Sequence, residues 1–303
     1  MNTNKWYHQR EHGVGVFRLN MLFWVYKIFG IRFMKFWVRM VAYIIGAKAK
    51  SAKRFSNEYR QILNEYQNAH NLKTTHFSPA KHIRCFADCL VDKMVAMCDK
   101  KNHIKFVIQQ NNDWRDFQKL IDKNHGVFLI CGHVGNIEAL AAFPNSKKVK
   151  IHAFQQVSQT SIFHNFISQH SVRTNTIIHA VEDINIGTAT EIFDFLNNGE
   201  LVMIAGDRIS ASTPNKSIQT QILGHDCELP MGVFRFAKSM SHPVFAVVLL
   251  NIAHEKYELI LKRLDDKNVN NMAQEFADFL EKNILIAPTQ WFNFYDFFGK
   301  KHQ

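Results

Sequence analysis

The sequence lacks the short motifs that identify several large classes of enzyme and metal-binding protein. It contains no G-x-S-x-G elbow, no P-loop, no H-E-x-x-H and no G-x-G-x-x-G. The sequence therefore does not indicate a hydrolase or a nucleotide-binding protein of the classes that carry these motifs. The five cysteines form no C-x2-C pair. An odd number of cysteines without regular spacing argues against a disulfide scaffold and against a zinc site. We therefore expect a reducing compartment and no metal.

Acidic residues are missing from most of the amino-terminal segment. No Asp or Glu occurs between Arg18 and Glu58, and residues 1–60 carry twelve Lys and Arg against two Glu. This segment therefore has a formal charge of +10, whereas the other 243 residues together have +1. An anionic partner is expected to meet the protein at this end.

Long apolar runs are also missing. The longest uncharged runs in residues 19–47 are eight residues, residues 19–26 and 40–47, whereas an ordinary transmembrane helix needs about 20. A helical projection of this stretch places its cations on one arc and apolar residues on the rest. This pattern predicts an amphipathic helix lying on an anionic membrane. The predicted membrane contacts are Lys27, Arg32, Lys35, Arg39, Trp24 and Trp37.

Two alternatives to membrane contact exist for this helix. It could pack against the protein's own core and expose a solvated basic face, or it could bind nucleic acid. The sequence has no RRM-like, zinc-finger or helix-turn-helix pattern, so no nucleic-acid partner is expected. The 26 phenylalanines indicate a large apolar surface in a core, a lipid groove or a membrane face. The aromatic-rich apolar face of the helix suits lipid better than a phosphate groove.

From about residue 103 onward, apolar runs typical of strands alternate with patterns typical of helices. This alternation predicts one α/β domain with a mostly parallel mixed sheet flanked by helices. Residues 51–102 have a helical pattern. We expect residues 1–60 to form a basic, membrane-associating helical segment and residues 61–303 to form the α/β domain.

A histidine and a carboxylate lie five positions apart after the apolar run of residues 127–131. They are His133 and Glu138, in the segment GHVGNIE, and a short helix is predicted directly afterwards. Chemistry in α/β proteins gathers at such strand-to-helix turns. A histidine beside a carboxylate can act as a general base on a hydroxyl group. The alternative is a structural histidine with Glu138 and Asn136 serving only the helix amino terminus.

Further candidate site residues lie at the ends of other predicted strands and helices. Asp207 and Arg208 follow the strand of residues 201–205, and a guanidinium there suits a phosphate or a developing oxyanion. A surface ion pair is the alternative. Gly232 follows Pro230 at the start of a helix, where a glycine permits close approach of a substrate. The aromatic segment QWFNFYDFF, residues 290–298, either closes a hydrophobic groove or caps the core.

The ordered set GHVGNIEAL, NNGELVMIAGDR and LPMGVFRFAKSMSHPVFAVVLL, after a basic amphipathic amino terminus, resembles the late acyltransferases of bacterial lipid A biosynthesis in the lysophospholipid acyltransferase superfamily. The chain departs from the family in having Ile137 where a Trp is common. Its carboxyl-terminal aromatic segment looks more like the branch associated with glycolipid or aryl-polyene pathways.

The resemblance implies transfer of an acyl chain from an acyl carrier protein or coenzyme A thioester to a hydroxyl of a membrane lipid or glycolipid. His133 would be the general base and Glu138 would hold its tautomer. No cofactor is implied, and the location would be the cytoplasmic face of the bacterial inner membrane, with the protein either peripheral or anchored through its amino terminus. The implied substrate-binding residues are Gly135, Asn136, Asp207, Arg208 and Gly232. The remaining alternatives are a thioesterase and a non-enzymatic membrane- or nucleic-acid-binding protein.

Overall fold

The protein is described by a computed structural model that covers residues 16–100, 104–143, 149–155, 161–172, 175–180, 186–209, 216–264 and 268–299. Eight α-helices and nine strands occur in these ranges. The helices are α1 Val16–Lys48, α2 Lys50–Ala69, α3 Pro79–Cys98, α4 Asn112–Asp122, α5 Ser161–His170, α6 Ile186–Asn197, α7 Met231–Ser239 and α8 Val269–Ile286. The strands are β1 Lys105–Ile108, β2 Val127–Gly135, β3 Ile151–Gln155, β4 Thr176–Ala180, β5 Leu201–Ala205, β6 Ser217–Ile222, β7 His225–Pro230, β8 Val244–Ala253 and β9 Lys256–Arg263.

Seven strands form one sheet in the order β1-β9-β8-β2-β5-β3-β4. Every neighbouring pair is parallel except β8 and β9, which are antiparallel. The predicted α/β class with a mostly parallel mixed sheet is therefore confirmed. Strand β2 lies in the middle of the sheet, between β5 and β8, so its carboxyl end meets the carboxyl ends of two other strands.

The centre of the sheet is covered on both faces. Phe128 and Ile130 of β2 point to one face, where α2, α7 and α8 pack. Leu129 and Cys131 point to the other, which packs against α4 and a 3-10 helix at Ile137–Ala142. This alternation follows from the two-residue period of a strand. It explains why β2 is a continuous apolar run in the sequence, since both of its faces are buried.

A third apolar cluster joins α1 to the rest of the protein. Tyr26, Ile31 and Met34 of α1 are buried against α3 and α5. Gly30 has φ +80° and interrupts the helical backbone, so α1 consists of two helical segments joined at a kink. No helix in the described part of the chain is both long enough and apolar enough to cross a membrane.

One local feature differs from the sequence-based expectation. The segment after Ser217–Ile222 turns at Leu223 and Gly224, both with positive φ, and returns as β7, a strand that the sequence pattern did not indicate. Such a pair of positive φ angles is typical of a two-residue hairpin turn. The short helix predicted after β2 is a 3-10 helix at Ile137–Ala142.

Candidate active site

His133 lies within the last residues of β2. The sequence predicted that the strand would end at Cys131 and that His133 would occupy the following turn, but the strand continues to Gly135. Its pairing with β8 shifts register between Cys131 and Gly135. Here, near the carboxyl-terminal end of the central strand, 35% of the His133 side chain is exposed to solvent.

Asp207, directly after β5, binds His133 through both of its carboxylate oxygens. The imidazole Nδ1 lies 2.8 Å from Oδ1, and the backbone N–H of His133 donates a 2.7 Å hydrogen bond to Oδ2. The N–H of Gly206 donates to the carbonyl of Cys131, which continues the β2–β5 pairing up to the site. A Cβ on Gly132 would lie 3.2 Å from Oδ2 of Asp207. The glycine therefore permits this close approach.

The electrostatics keep Asp207 ionised. Burial by itself would raise the pKa of this carboxyl, but the charge and hydrogen bonds of His133 and the nearby guanidinium of Arg208 lower it, and the net pKa is below the ordinary value. An ionised carboxylate at Nδ1 fixes the tautomer in which Nδ1 carries the proton. Among the described residues none forms a hydrogen bond to Nε2, so this nitrogen is the one available to take a proton.

Glu138 does not have the role that the sequence predicted for it. Its Oε1 lies 2.6 Å from Nζ of Lys93 on α3, and no hydrogen bond joins it to His133 in the described structure. The assignment of the tautomer-holding contact to Glu138 was therefore wrong, since Asp207 makes that contact. The chain turns at Gly135, which has φ +77°, and this turn directs the 3-10 helix toward α3.

The charge of Glu138 nevertheless acts near His133. Burial by itself would raise the pKa of the Glu138 carboxyl. The charge and hydrogen bond of Lys93, and to a smaller extent the charge of His133, lower it, so the net pKa lies below the ordinary value. Glu138 therefore places a negative charge near His133 without contacting it directly. The H-x4-E pair is thus an electrostatic pair here, and its carboxylate is held in place by a lysine from another helix.

Gly135 and Asn136, which lie between His133 and Glu138, are buried and make contacts inside the protein. A Cβ on Gly135 would lie 2.2 Å from the carbonyl oxygen of Leu249, so this position requires glycine for close packing against β8. The Asn136 side chain is buried and donates to the carbonyl of Cys89, and its backbone N–H donates to Leu249. The Asn136 side chain lies in the interior, and the predicted role of this residue in substrate binding remains a prediction.

The carboxyl-terminal aromatic segment, residues 290–298, lies directly against the site. Trp291 pairs with Val134 in an antiparallel bridge, and the N–H of Phe292 donates to the carbonyl of His133. Arg208 donates from Nη2 to the carbonyl of Phe292 at 2.9 Å, and its guanidinium lies over the Tyr295 ring. Arg208 therefore holds this segment in place, and its predicted contact with substrate remains a prediction.

Gly232 starts α7 and is exposed. A Cβ at this position would meet no atom within 4 Å, so the surrounding space is open. Its predicted role in substrate binding also remains a prediction. In the part of the chain that the structure describes, no three His, Cys, Asp or Glu side chains gather in an arrangement that could hold a metal ion.

Three of the cations predicted to contact membrane face α3 instead. Lys35 is buried with its Nζ 2.6 Å from Asp92, Arg39 binds both oxygens of Asp88, and Lys27 lies 3.6 Å from Asp99. The prediction of membrane contact is wrong for Lys35, because its ammonium group is buried against Asp92. The helical projection grouped Arg32 with these three cations, but it did not show the kink at Gly30 or the acidic partners, which belong to α3 and its C-cap. Arg32, Trp24 and Trp37 are exposed.

The family model for bacterial lipid A biosynthesis acyltransferases matches residues 14–298 of this chain. The match includes the central sheet, His133, Asp207 and the carboxyl-terminal aromatic segment. The chain therefore belongs to the bacterial lipid A biosynthesis acyltransferase family. No curated protein matches the chain.

Proposed function

We propose that the protein transfers an acyl chain from the thioester of an acyl carrier protein or of coenzyme A to a hydroxyl of a membrane lipid or glycolipid. The observation that carries this proposal is the contact between His133 Nδ1 and an ionised Asp207 at 2.8 Å, in a chain of an acyltransferase family. In the neutral imidazole this contact holds the proton on Nδ1, so the lone pair of Nε2 can serve as the general base.

In the proposed reaction, Nε2 of His133 takes the proton of the acceptor hydroxyl while the oxygen attacks the thioester carbonyl carbon. The tetrahedral intermediate then loses its C–S bond, and the proton on Nε2 passes to the leaving sulfur. The products are an ester and a free thiol. Asp207 stabilises the imidazolium through Nδ1, and Glu138 adds a second negative charge nearby. General-base assistance of this kind contributes about 10²–10⁴ in rate.

We further propose that the acceptor is reached from a membrane surface through the apolar face of α1. Trp24, Ile28, Phe36 and Tyr43 are each more than 60% exposed. An exposed apolar face of this size, rich in aromatic residues, suits the interface of a bilayer. The three cations that face α3 leave this apolar face free. In this proposal α1 attaches the enzyme peripherally to the cytoplasmic face of the inner membrane.

The test is a thioester-consumption assay over a panel of lipids, with mass spectrometry of the products. Wild-type protein is expected to form an acylated lipid together with free thiol, and His133→Ala is expected to reduce turnover at least a hundredfold. His125→Ala is the matched control, because His125 is an exposed histidine just before the same strand.

Two results would contradict the proposal. Release of free fatty acid without any acylated lipid would show a thioesterase. A folded His133→Ala protein that keeps more than about a tenth of wild-type turnover would show that His133 is not the general base, because its loss should cost about a hundredfold or more.

A further inference from the structure

A line of four buried polar side chains connects α1 to the turn that follows the catalytic histidine. Lys35 Nζ on α1 lies 2.6 Å from Oδ1 of Asp92 on α3. The hydroxyl of Tyr257 on β9 donates a 2.6 Å hydrogen bond to Oδ2 of the same carboxylate. The Nδ2 of Asn136 then donates to the Tyr257 hydroxyl at 3.4 Å. Four separate elements therefore meet through one polar chain.

Each member of this chain lies in the interior. Lys35, Asp92, Tyr257 and Asn136 are between 0% and 5% exposed. Removing such groups from water is costly unless each finds partners, and a buried network that loses one member leaves the others unsatisfied. Burial is the largest cause that raises the pKa of Tyr257. Its hydroxyl consequently stays protonated and remains a donor to Asp92.

A polar chain of this kind is not needed for packing. Well-packed apolar residues in place of a buried ion pair are often equally stabilising or more so. The two ends of this chain, however, are the parts of the molecule that the proposed reaction uses. Asn136 lies three residues after His133, and Lys35 lies beside Phe36 and Trp37, which are on the exposed face of α1.

We infer that Tyr257, Asp92 and Lys35 are positioning residues, which act through Asn136 to fix the catalytic turn and to couple it to the position of α1. This inference rests on the proposed acyl transfer. The distance from Nε2 of His133 to the substrate depends on the turn at 135–136, and a misplacement of about 1 Å can reduce a rate about a hundredfold. A shift of α1 on the membrane would reach the turn through the carboxylate of Asp92.

The first experiment uses Tyr257→Phe, which removes one hydroxyl and keeps the ring. We expect kcat to fall about tenfold with KM changed less than about twofold, because the positions of the reacting groups change and the substrate contacts do not. Tyr66→Phe is the matched control. It removes a similar hydrogen bond, 2.7 Å from the Tyr66 hydroxyl to Glu281, between α2 and α8. The control should keep wild-type kcat.

The second experiment tests the link to α1. Two variants are each combined with Tyr257→Phe. The first is Lys35→Met. The second is Lys35→Met with Asp92→Asn, which leaves no buried charge at the ion pair. If the chain acts as a unit, adding Lys35→Met to Tyr257→Phe reduces kcat less than about twofold further, since coupled residues are not additive. Losses in kcat that multiply would show that α1 is not part of the chain. A Tyr257→Phe protein with wild-type kcat would overturn the whole inference.

A third measurement does not depend on turnover. Hydrogen–deuterium exchange over residues 134–142 should be faster in Tyr257→Phe than in wild type and in Tyr66→Phe, because the Asn136 N–H loses support for its bond to Leu249. If wild type shows no acyl transfer at all, the proposed function fails and the exchange result alone decides the inference. Unchanged exchange would then contradict it.

Discussion

The backbone carbonyl of His133 accepts a 2.9 Å hydrogen bond from the N–H of Phe292. Strand β2 is thus extended on one side by a segment that lies almost 160 residues further along the chain. Other groups hold the same segment: the carbonyl of Phe292 accepts from Arg208, and the carbonyl of Trp291 accepts from Nε2 of His82. The residues 290–298 therefore form part of the site's framework as well as covering the core.

Replacing Arg208 tests this framework. Arg208→Ala should lower turnover about tenfold, since a hydrogen bond from a charged group contributes about 1.5–3 kcal/mol, while flotation with vesicles should not change. Arg208→Lys should restore part of the turnover. The control is Arg235→Ala, which removes an exposed guanidinium from α7. Equal losses in turnover and in flotation would show that Arg208 contacts the membrane.

The two carboxylates near His133 should differ in importance. Asp207→Asn should reduce turnover by about 10²–10⁴, because an amide at Nδ1 no longer favours the required tautomer or the imidazolium. Glu138→Gln should cost less, about tenfold, because Glu138 acts on His133 only through space. Turnover of both variants at pH 7.5, with circular dichroism to confirm folding, is the measurement. A larger loss for Glu138→Gln would assign the direct contact to Glu138 and refute the geometry at Asp207.

Membrane binding should depend on the aromatic face of α1 more than on its cations. Burying one large apolar side chain contributes about 1.5–3 kcal/mol, so Trp24→Ser with Phe36→Ser should weaken vesicle binding about a hundredfold or more. Phe193→Ser is the control, because Phe193 is an exposed aromatic residue on α6. Lys27→Gln with Arg39→Gln should have a smaller effect, because both cations are paired with acids, Lys27 with Asp99 at the C-cap of α3 and Arg39 with Asp88 on α3. Flotation at low and high salt distinguishes the two cases, and a dominant effect of the cations would contradict the orientation of α1.

Acid should destabilise the protein through His82. Its neutral ring accepts from Ser56 and donates to Trp291, and burial lowers its pKa from 6.5 to about 4. Above pH 6.5 the residue has no effect, because neither the folded nor the unfolded state binds its proton. Between pH 6.5 and 4 only the unfolded state binds it, so the free energy of unfolding falls, by about 3 kcal/mol in total.

Urea unfolding at several pH values between 7.5 and 4.5 measures this effect. In His82→Gln the fall over this range should be smaller than in wild type by most of that amount. Parallel pH curves for the two proteins would show that another group causes the acid sensitivity.

Several features of this protein follow from local sequence alone. The apolar run before His133, the alternation of strands and helices and the grouping of cations on one arc of α1 each depend on neighbouring residues. They predicted the α/β class, the position of the histidine at the carboxyl end of a strand and the helix at the amino terminus. A turn with two positive φ angles at Leu223 and Gly224 was missed, because Leu223 carries no sequence signal for a left-handed backbone.

The sequence by itself determined that His133 would be near a carboxylate, but only the tertiary structure decided which one. Asp207 is 74 residues from His133, and it comes within hydrogen-bond distance because β5 is the neighbour of β2 in a parallel sheet. Glu138 is close in sequence, yet its side chain is directed to Lys93 of α3. In the same way, the charge of Lys35 was evident from the sequence, whereas its burial against Asp92 depends on the packing of α1 on α3. Spacing along a chain fixes which residues share an element, and strand order and helix packing decide which side chains from different elements meet.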